Sequence, residues 1–348
     1  MSPQRALSMV PAAALAAALG ACSTDPGNPF ADTIQMVPPG PDAAIVLTSN
    51  SYAQSAGAPR ELFAVEAGGG GLTRLTLCNV EPRRCDTAEA APSSDRRRMA
   101  VLRVVDDTDG NGRLTDADGQ SLLISDLSRG VEGPLFPQSQ AVSGVDWSEV
   151  SEVLVYSAEG ADGRDDLFRV DPNGQNNRNL TATPAVRERR PRIDPTGSIA
   201  VYERIEADGK GRIFIFNSTQ NQGRVTSGGP GTAALPGTLY VVGSDADPDF
   251  SPDGQSIVFR RLTDLGNAGR GSWDVLVVRT DGSGLEVVAS GPAFRGAPDW
   301  GPEGIVFAEV DEAAGTSQLV VVQPNGSGRR AIVSAPAAVE ISHPRWLP

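Results

Sequence analysis

The sequence predicts an all-β protein: a six-bladed β-propeller of four-stranded antiparallel blades, closed by its C-terminal strand joining the first blade. Three observations lead there. Apolar, β-branched runs ending in a large residue recur along the chain, as in AIVLTS (44–49), MAVLRV (99–104) and the runs closing on Val155-Tyr156, Val201-Tyr202, Val258-Phe259 and Val306-Phe307. Aligning Leu47, Leu102, Tyr156, Tyr202, Phe259 and Phe307 gives spacings of 55, 54, 46, 57 and 48 residues, which suits four-stranded repeats. The last residues, HPRWLP (343–348), match the opening of a repeat, and the first repeat lacks such an opening. Strands apolar on both faces need covering on both sides, and blades stacked around an axis provide that. A closing strand also leaves no open sheet edge between the two ends.

Taken in order, residues 1–21 have the layout of a secretory signal peptide: Arg5, an Ala/Leu-rich stretch, then small residues. The stretch is too short and too weakly apolar to read as a membrane span. Leu19-Gly20-Ala21-Cys22 resembles a bacterial lipobox. That resemblance implies cleavage before Cys22 and lipidation of its thiol. Ser23, rather than Asp, follows, which by the same resemblance implies the periplasmic side of the outer membrane in a Gram-negative bacterium. The alternative is an ordinary signal peptide cleaved nearby. Several acyl chains on Cys22 would anchor stably. Residues 22–42 are rich in Pro, Gly and small polar residues and read as a flexible tether. Residues 43–348 are the propeller.

Cys78 and Cys85 stand close together in CNVEPRRC. In an oxidising periplasm a disulfide is the natural reading, with two free thiols as the alternative. The net charge of −13 argues against nucleic acid, whose phosphates need a cationic surface.

The blades are clearest late in the chain. PDFSPDGQSIVFRR (248–261) precedes WDVLVVRTDGSGLEVVAS (273–290), and PDWGPEGIVFAEV (298–310) precedes QLVVVQPNGSGRRAIVS (318–334). First strands close on Trp147, Ile193, Phe250 and Trp300. A tight turn follows, for which Pro252-Asp253-Gly254 is suited: Pro presets φ, Asp bonds its own backbone and Gly tolerates positive φ. DFSPDGQSIVF and WDVLVVRTDGSG resemble the WD40-like repeats of TolB-type propellers, and the resemblance runs over nearly all of residues 43–348. It implies a six-bladed ring but no single function, because function sits in sites grafted on a shared fold. TolB carries a globular domain ahead of its propeller where this chain has a tether, so its partners do not simply carry over.

DDTDGNGRLTDADG (106–119) falls between the second and third strands of the second blade. Asp107, Asp109 and Asn111 occupy positions 1, 3 and 5 of an EF-hand-like loop, with Gly112 at the sharp turn. Arg113 offers its carbonyl at position 7, with Thr115 at 9 and Asp118 at 12. Asp replaces the final Glu, as in dockerin-type loops, which this resembles. Carboxylates crowded this closely repel one another without a counter-ion. The expected ligand is a structural Ca²⁺, and the alternative is a solvated hairpin tip.

His343 is the only histidine, and no activated serine accompanies it, so it reads as structural or incidental. The Gly-rich run 68–71 is a strand turn without the Lys-Ser/Thr of a phosphate loop. SGGPGTAALPG (227–237) reads as a flexible insertion. Trp147, Trp300 and Trp346 read as core, whereas Trp273 is freer to sit at a rim. The leading functional expectation is a lipid-anchored, non-enzymatic scaffold, monomeric, that binds an envelope protein or cell-wall component. A propeller enzyme or glycan-binding module acting on polysaccharide is the rival, which carboxylates converging on the channel would favour. A Ca²⁺-responsive adhesive module is a third.

Overall fold

A computed structural model describes residues 39–50, 59–76, 85–110, 114, 118–136, 141–217, 222–266 and 269–348. Blade 1 is built from β1 (Ile45–Ser49), β2 (Glu61–Val65) and β3 (Thr73–Arg74). Blade 2 holds β4 (Asp86–Pro92), β5 (Arg98–Val104), β6 (Ser121–Asp126) and β7 (Val131–Pro134). Blade 3 holds β8 (Val142–Trp147), β9 (Leu154–Glu159), β10 (Asp165–Val170) and β11 (Arg178–Asn179). Blade 4 holds β12 (Arg187–Ile193), β13 (Ile199–Ile205), β14 (Gly211–Asn217) and β15 (Gln222–Arg224). Blade 5 holds β16 (Asp245–Phe250), β17 (Ser256–Asp264), β18 (Ser272–Arg279) and β19 (Glu286–Ala289). Blade 6 splits its first strand into β20 (Phe294–Arg295) and β21 (Asp299–Gly301), followed by β22 (Gly304–Asp311), β23 (Thr316–Val322) and β24 (Arg330–Pro336). The last strand, β25 (Ile341–Trp346), pairs antiparallel with β1, so blade 1 runs β25-β1-β2-β3 and the ring closes as expected.

Strand alternation explains the doubly apolar runs. In β17, Ile257 and Phe259 pack towards blade 4, whereas Val258 packs against Ile305 and Phe307 of blade 6. In β5, Met99 and Val101 meet blade 1, and Ala100 and Leu102 meet blade 3. Each of the six blade–blade interfaces has its own buried cluster of this kind. Each fully buried Leu, Ile or Phe contributes roughly 1.5–3 kcal/mol. The core is therefore six wedges, one between each pair of neighbours.

The first strand of every blade is irregular where it meets its partner. Register shifts interrupt the pairing opposite Thr87/Glu89, Val142/Gly144, Arg189/Arg192 and Ala246/Asp249, and between Val46 and Thr48 opposite β25. In blade 6 the interruption is complete enough to separate β20 from β21. Each shift is a bulge, which bends the strand and re-aims a side chain. Three bulges place a non-glycine residue at positive φ immediately before proline: Arg190 (53°), Asp247 (48°) and His343 (44°). Proline has no N–H for the ladder, so a bulge is where a strand tolerates it.

Two expectations give way. The insertion at 227–237 packs: Leu235 is buried with Ala246, Leu262 and Trp273, and an isolated bridge joins Ala234 to Val241. Trp273 is not at a rim but among the most buried side chains, edge-on to Tyr240, with the Arg260 guanidinium 4.0 Å above its ring. The insertion supplies the apolar cover that draws this tryptophan inward.

Candidate functional site

The bulges gather charge on the ring axis. Glu89 of β4 is fully buried and accepts from Arg192 Nη2 at 2.9 Å, Arg190 Nη1 at 3.0 Å and Arg345 Nη2 at 3.4 Å. The first two come from blade 4 and the third from blade 1. Blades 2 and 4 are not neighbours, so these contacts span the channel and fill its waist. Burial alone would raise the Glu89 carboxyl. Arg192, Arg190 and Arg345 override it and hold the group at about 2. Arg190 Nη1 also reaches His343 Nε2 at 3.3 Å. Burial first, then the Arg190 charge, push the His343 imidazole down to about 4, so it is neutral at pH 7 and accepts through Nε2.

Asp247 receives Arg260 Nε at 2.5 Å and Arg190 Nε at 3.5 Å. Its carboxyl is lowered, since Arg260 and Arg190 overcome the burial that would raise it. Next to it Glu203 is pushed up by burial and by the Asp247 charge, and accepts the Tyr240 hydroxyl at 2.8 Å. Tyr240 is carried there by the packed insertion before blade 5.

On the other side of the waist the first strands end, and a mouth opens. A repeated bond ties the blades together there. Asp146 accepts the Ile193 N–H at 2.8 Å, Asp249 the Trp300 N–H at 2.7 Å, and Asp299 the Trp346 N–H at 2.8 Å. Each carboxylate thus holds the next blade's backbone. Arg345 bridges Asp146 at 3.1 Å and Asp299 at 3.3 Å. Within this mouth lies a cavity of about 310 Å³, walled by Trp147, Phe250, Trp300 and Trp346 and by prolines, with Asp146, Asp249 and Asp299 among its lining groups. Burial first, then the Asp299 charge, hold the Asp249 carboxyl well above the usual carboxylate range.

The acidic loop of blade 2 lies between β5 and β6, as its sequence position predicts. Carboxylate oxygens of Asp107, Asp109 and Asp118 come within 4.8 Å of one another, a cluster that could hold a metal ion. Asp118 is buried and accepts from the Thr108 and Asp109 N–H groups at 2.9 and 3.2 Å. Asn111, Arg113 and Thr115 lie outside the described residues, as do Cys22 and Cys78. Cys85 is buried and disulfide-bonded.

Sequence reasoning missed the axial network. Its signal is a four-residue motif at the bulge: Arg190-Pro191-Arg192-Ile193, Asp247-Pro248-Asp249-Phe250, Ala297-Pro298-Asp299-Trp300 and His343-Pro344-Arg345-Trp346. The residue before proline sits at the bulge, and in blades 4, 5 and 1 it joins the axial cluster. The one after it lines the mouth or the waist.

No protein-family model matches the sequence, and no curated protein matches it. Among solved structures the chain is similar to TolB from Acinetobacter baumannii, at 14% identity and a TM-score of 0.64, covering 89% of this chain and 68% of that one. A protein assigned as TolB in Agrobacterium tumefaciens gives 15% identity and a TM-score of 0.56, covering 89% and 100%. An oligogalacturonate lyase in complex with manganese gives 12% identity and a TM-score of 0.52, covering 84% and 73%. The fold is that of a TolB-like six-bladed propeller.

Proposed function

We propose that this chain is a lipid-anchored envelope propeller acting as a non-enzymatic protein-docking scaffold, with the channel mouth as its docking face. One observation carries this reading. The buried axial carboxylate Glu89 is engaged by three arginines, which holds it ionised and unavailable as a proton donor. Beyond that waist the mouth presents an open cavity walled by aromatic rings, the surface type enriched in protein interfaces. In this reading residues 1–21 direct export, Cys22 carries the lipid and residues 22–42 tether the ring at the periplasmic side of the outer membrane. A Cys78–Cys85 bridge fits the bonded state of Cys85, and thiol titration of exported protein checks it. A Ca²⁺ held by Asp107, Asp109, Asn111, the Arg113 carbonyl, Thr115 and Asp118 staples the loop of blade 2. The three clustered carboxylates support that assignment.

The second reading, a propeller enzyme or glycan-binding module acting on polysaccharide, draws support from the carboxylates that converge on the mouth and from the lyase among the structural neighbours. The test is capture from solubilised envelopes with the anchored protein as bait, in Ca²⁺ and in chelator. A protein partner retained in both supports the scaffold with a stapled loop. Retention only in Ca²⁺ brings the loop into the binding face. Polysaccharide capture without a protein partner would overturn docking in favour of the second reading.

A further inference from the structure

The carboxylates of the mouth are not equally supplied with counter-charge. Five acidic residues line the cavity, Asp146, Glu149, Asp194, Asp249 and Asp299, against the single arginine Arg345. Asp146 and Asp299 share that arginine. Asp194 is occupied by its own turn, accepting from the Thr196, Ser198 and Ile199 N–H groups. Asp249 takes the Trp300 N–H and forms no ion pair among the described residues. Other buried aspartates of the inner strands have theirs: Asp247 has Arg260 and Asp245 has Arg261. The arginines nearest Asp249, Arg192 and Arg345, are paired to Glu89, Asp146 and Asp299 instead, and Asp249 stands beside the cavity.

We propose that this cavity is a socket for a lysine or arginine side chain of a docking partner, with Asp249 as the counter-charge and Trp300 and Trp346 as walls. The proposal names the chemistry recognised at the docking mouth and rests on that reading. The walls suit such a side chain. An alkyl stem lies against aromatic and proline surface while its charged head meets the carboxylate, and a cation near an indole ring gains further attraction. Two buried donors on lining residues, Trp147 Nε1 and Arg345 Nε, have no hydrogen-bond partner among the described residues. An incoming peptide brings carbonyl acceptors for such groups, and a bare metal ion does not.

The same geometry makes binding release protons. Asp249 faces Asp299 from blade 6, Arg192 from blade 4 and Arg345 from blade 1, with Asp146 and Glu149 of blade 3 across the cavity. A bound cation favours its ionised form, so affinity rises with pH while the free carboxyl titrates.

The experiment uses the full chain and three blocked tripeptides, Gly-X-Gly with X as lysine, arginine or norleucine, read by tryptophan fluorescence and by calorimetry in two buffers of different ionisation heat. Lysine and arginine peptides bind and release protons, and the norleucine peptide does not bind. Asp249→Asn keeps an acceptor for the Trp300 N–H and weakens the cationic peptides by about tenfold or more. Glu149→Gln, at the exposed rim, weakens them by about threefold. Equal binding of norleucine, or lysine binding unchanged in both variants, overturns the socket. Asp249→Asn protein that loses the peptides but still captures its envelope partner leaves the socket standing and removes docking at this mouth. Capture abolished by other mouth substitutions, with no peptide bound, does the reverse.

Discussion

The molecule concentrates carboxylates in two places and surrounds them differently. On the axis, Glu89 is enclosed by Arg190, Arg192 and Arg345 drawn from two other blades. In the loop of blade 2, Asp107, Asp109 and Asp118 crowd within 4.8 Å, a cluster that could hold a metal ion. The axial cluster is made of strand residues whose counter-charges fold with them. The loop cluster sits in a connection between β5 and β6, with Asp107 and Asp109 exposed. The difference teaches that an acidic cluster is informative only in its setting: arginines drawn from distant blades mark architecture, whereas ligand types adjacent in one loop mark a candidate ion site.

Four measurements sharpen or break this contrast. The largest effect is expected from Glu89→Ala. It strands the buried Arg192 guanidinium and takes one partner each from Arg190 and Arg345, and should cost about 3–5 kcal/mol in denaturant unfolding, whereas Asp109→Asn in the exposed loop should change stability in chelator by less than about 0.5 kcal/mol. Equal losses would remove the distinction.

Next is Ca²⁺. At a hundredfold excess over its dissociation constant it should stabilise the protein by about 2.7 kcal/mol. Asp109→Asn should abolish the shift and Glu89→Gln should leave it intact. A melting temperature indifferent to Ca²⁺ would return the loop to a solvated tip.

The third is pH dependence. His343 has its folded value lowered from 6.5 to about 4, so between those values the unfolded chain binds more protons and stability falls on acidification. Because part of the imidazole surface is accessible, the loss should be on the order of 1–3 kcal/mol. His343→Gln should flatten that window. A second contribution, from Glu89, is fully present above pH 4.5 and is lost as the pH falls towards 2. Neither window belongs to the loop, so both should survive Asp109→Asn.

The smallest is salt. Raising ionic strength should weaken Ca²⁺ binding at the exposed loop several-fold and leave the buried axial pairs nearly unchanged. An acid-unfolding midpoint that moves strongly with salt would show the waist to be wet.

Much of this was legible in the sequence. The spacing of Leu47, Leu102, Tyr156, Tyr202, Phe259 and Phe307 fixes six repeats, and HPRWLP announces the strand that closes them. The loop between β5 and β6 announces itself because its ligand types are adjacent in sequence. The axial network does not. Period-two alternation says which face a strand residue takes, but not what stands across a ring. Glu89 meets Arg192 after 103 residues and Arg345 after 256, and no local pattern encodes such a pairing. Trp273 was misread for a related reason: its cover comes from Leu235 of an insertion whose Gly/Pro content reads as loose, and from Tyr240 just after it.

The pairing of β25 with β1 sets Trp346 opposite Ile45, and this stitch has a meaning in time as well as in space. A chain delivered from its N-terminus can form five whole blades and three strands of the remaining one, blade 1, as they emerge, each from neighbours in sequence, but the hoop stays an open arc until the final strand arrives. Joining ends so distant along the chain is the slow, entropically demanding event. During that interval the free flank of β1 is an unpaired template. Synthesis delivers the last strand late, so the interval before closure is where aggregation, proteolysis and chaperone capture compete with folding. A change that slows β25 would show first as lost yield, before any loss of function in the closed ring.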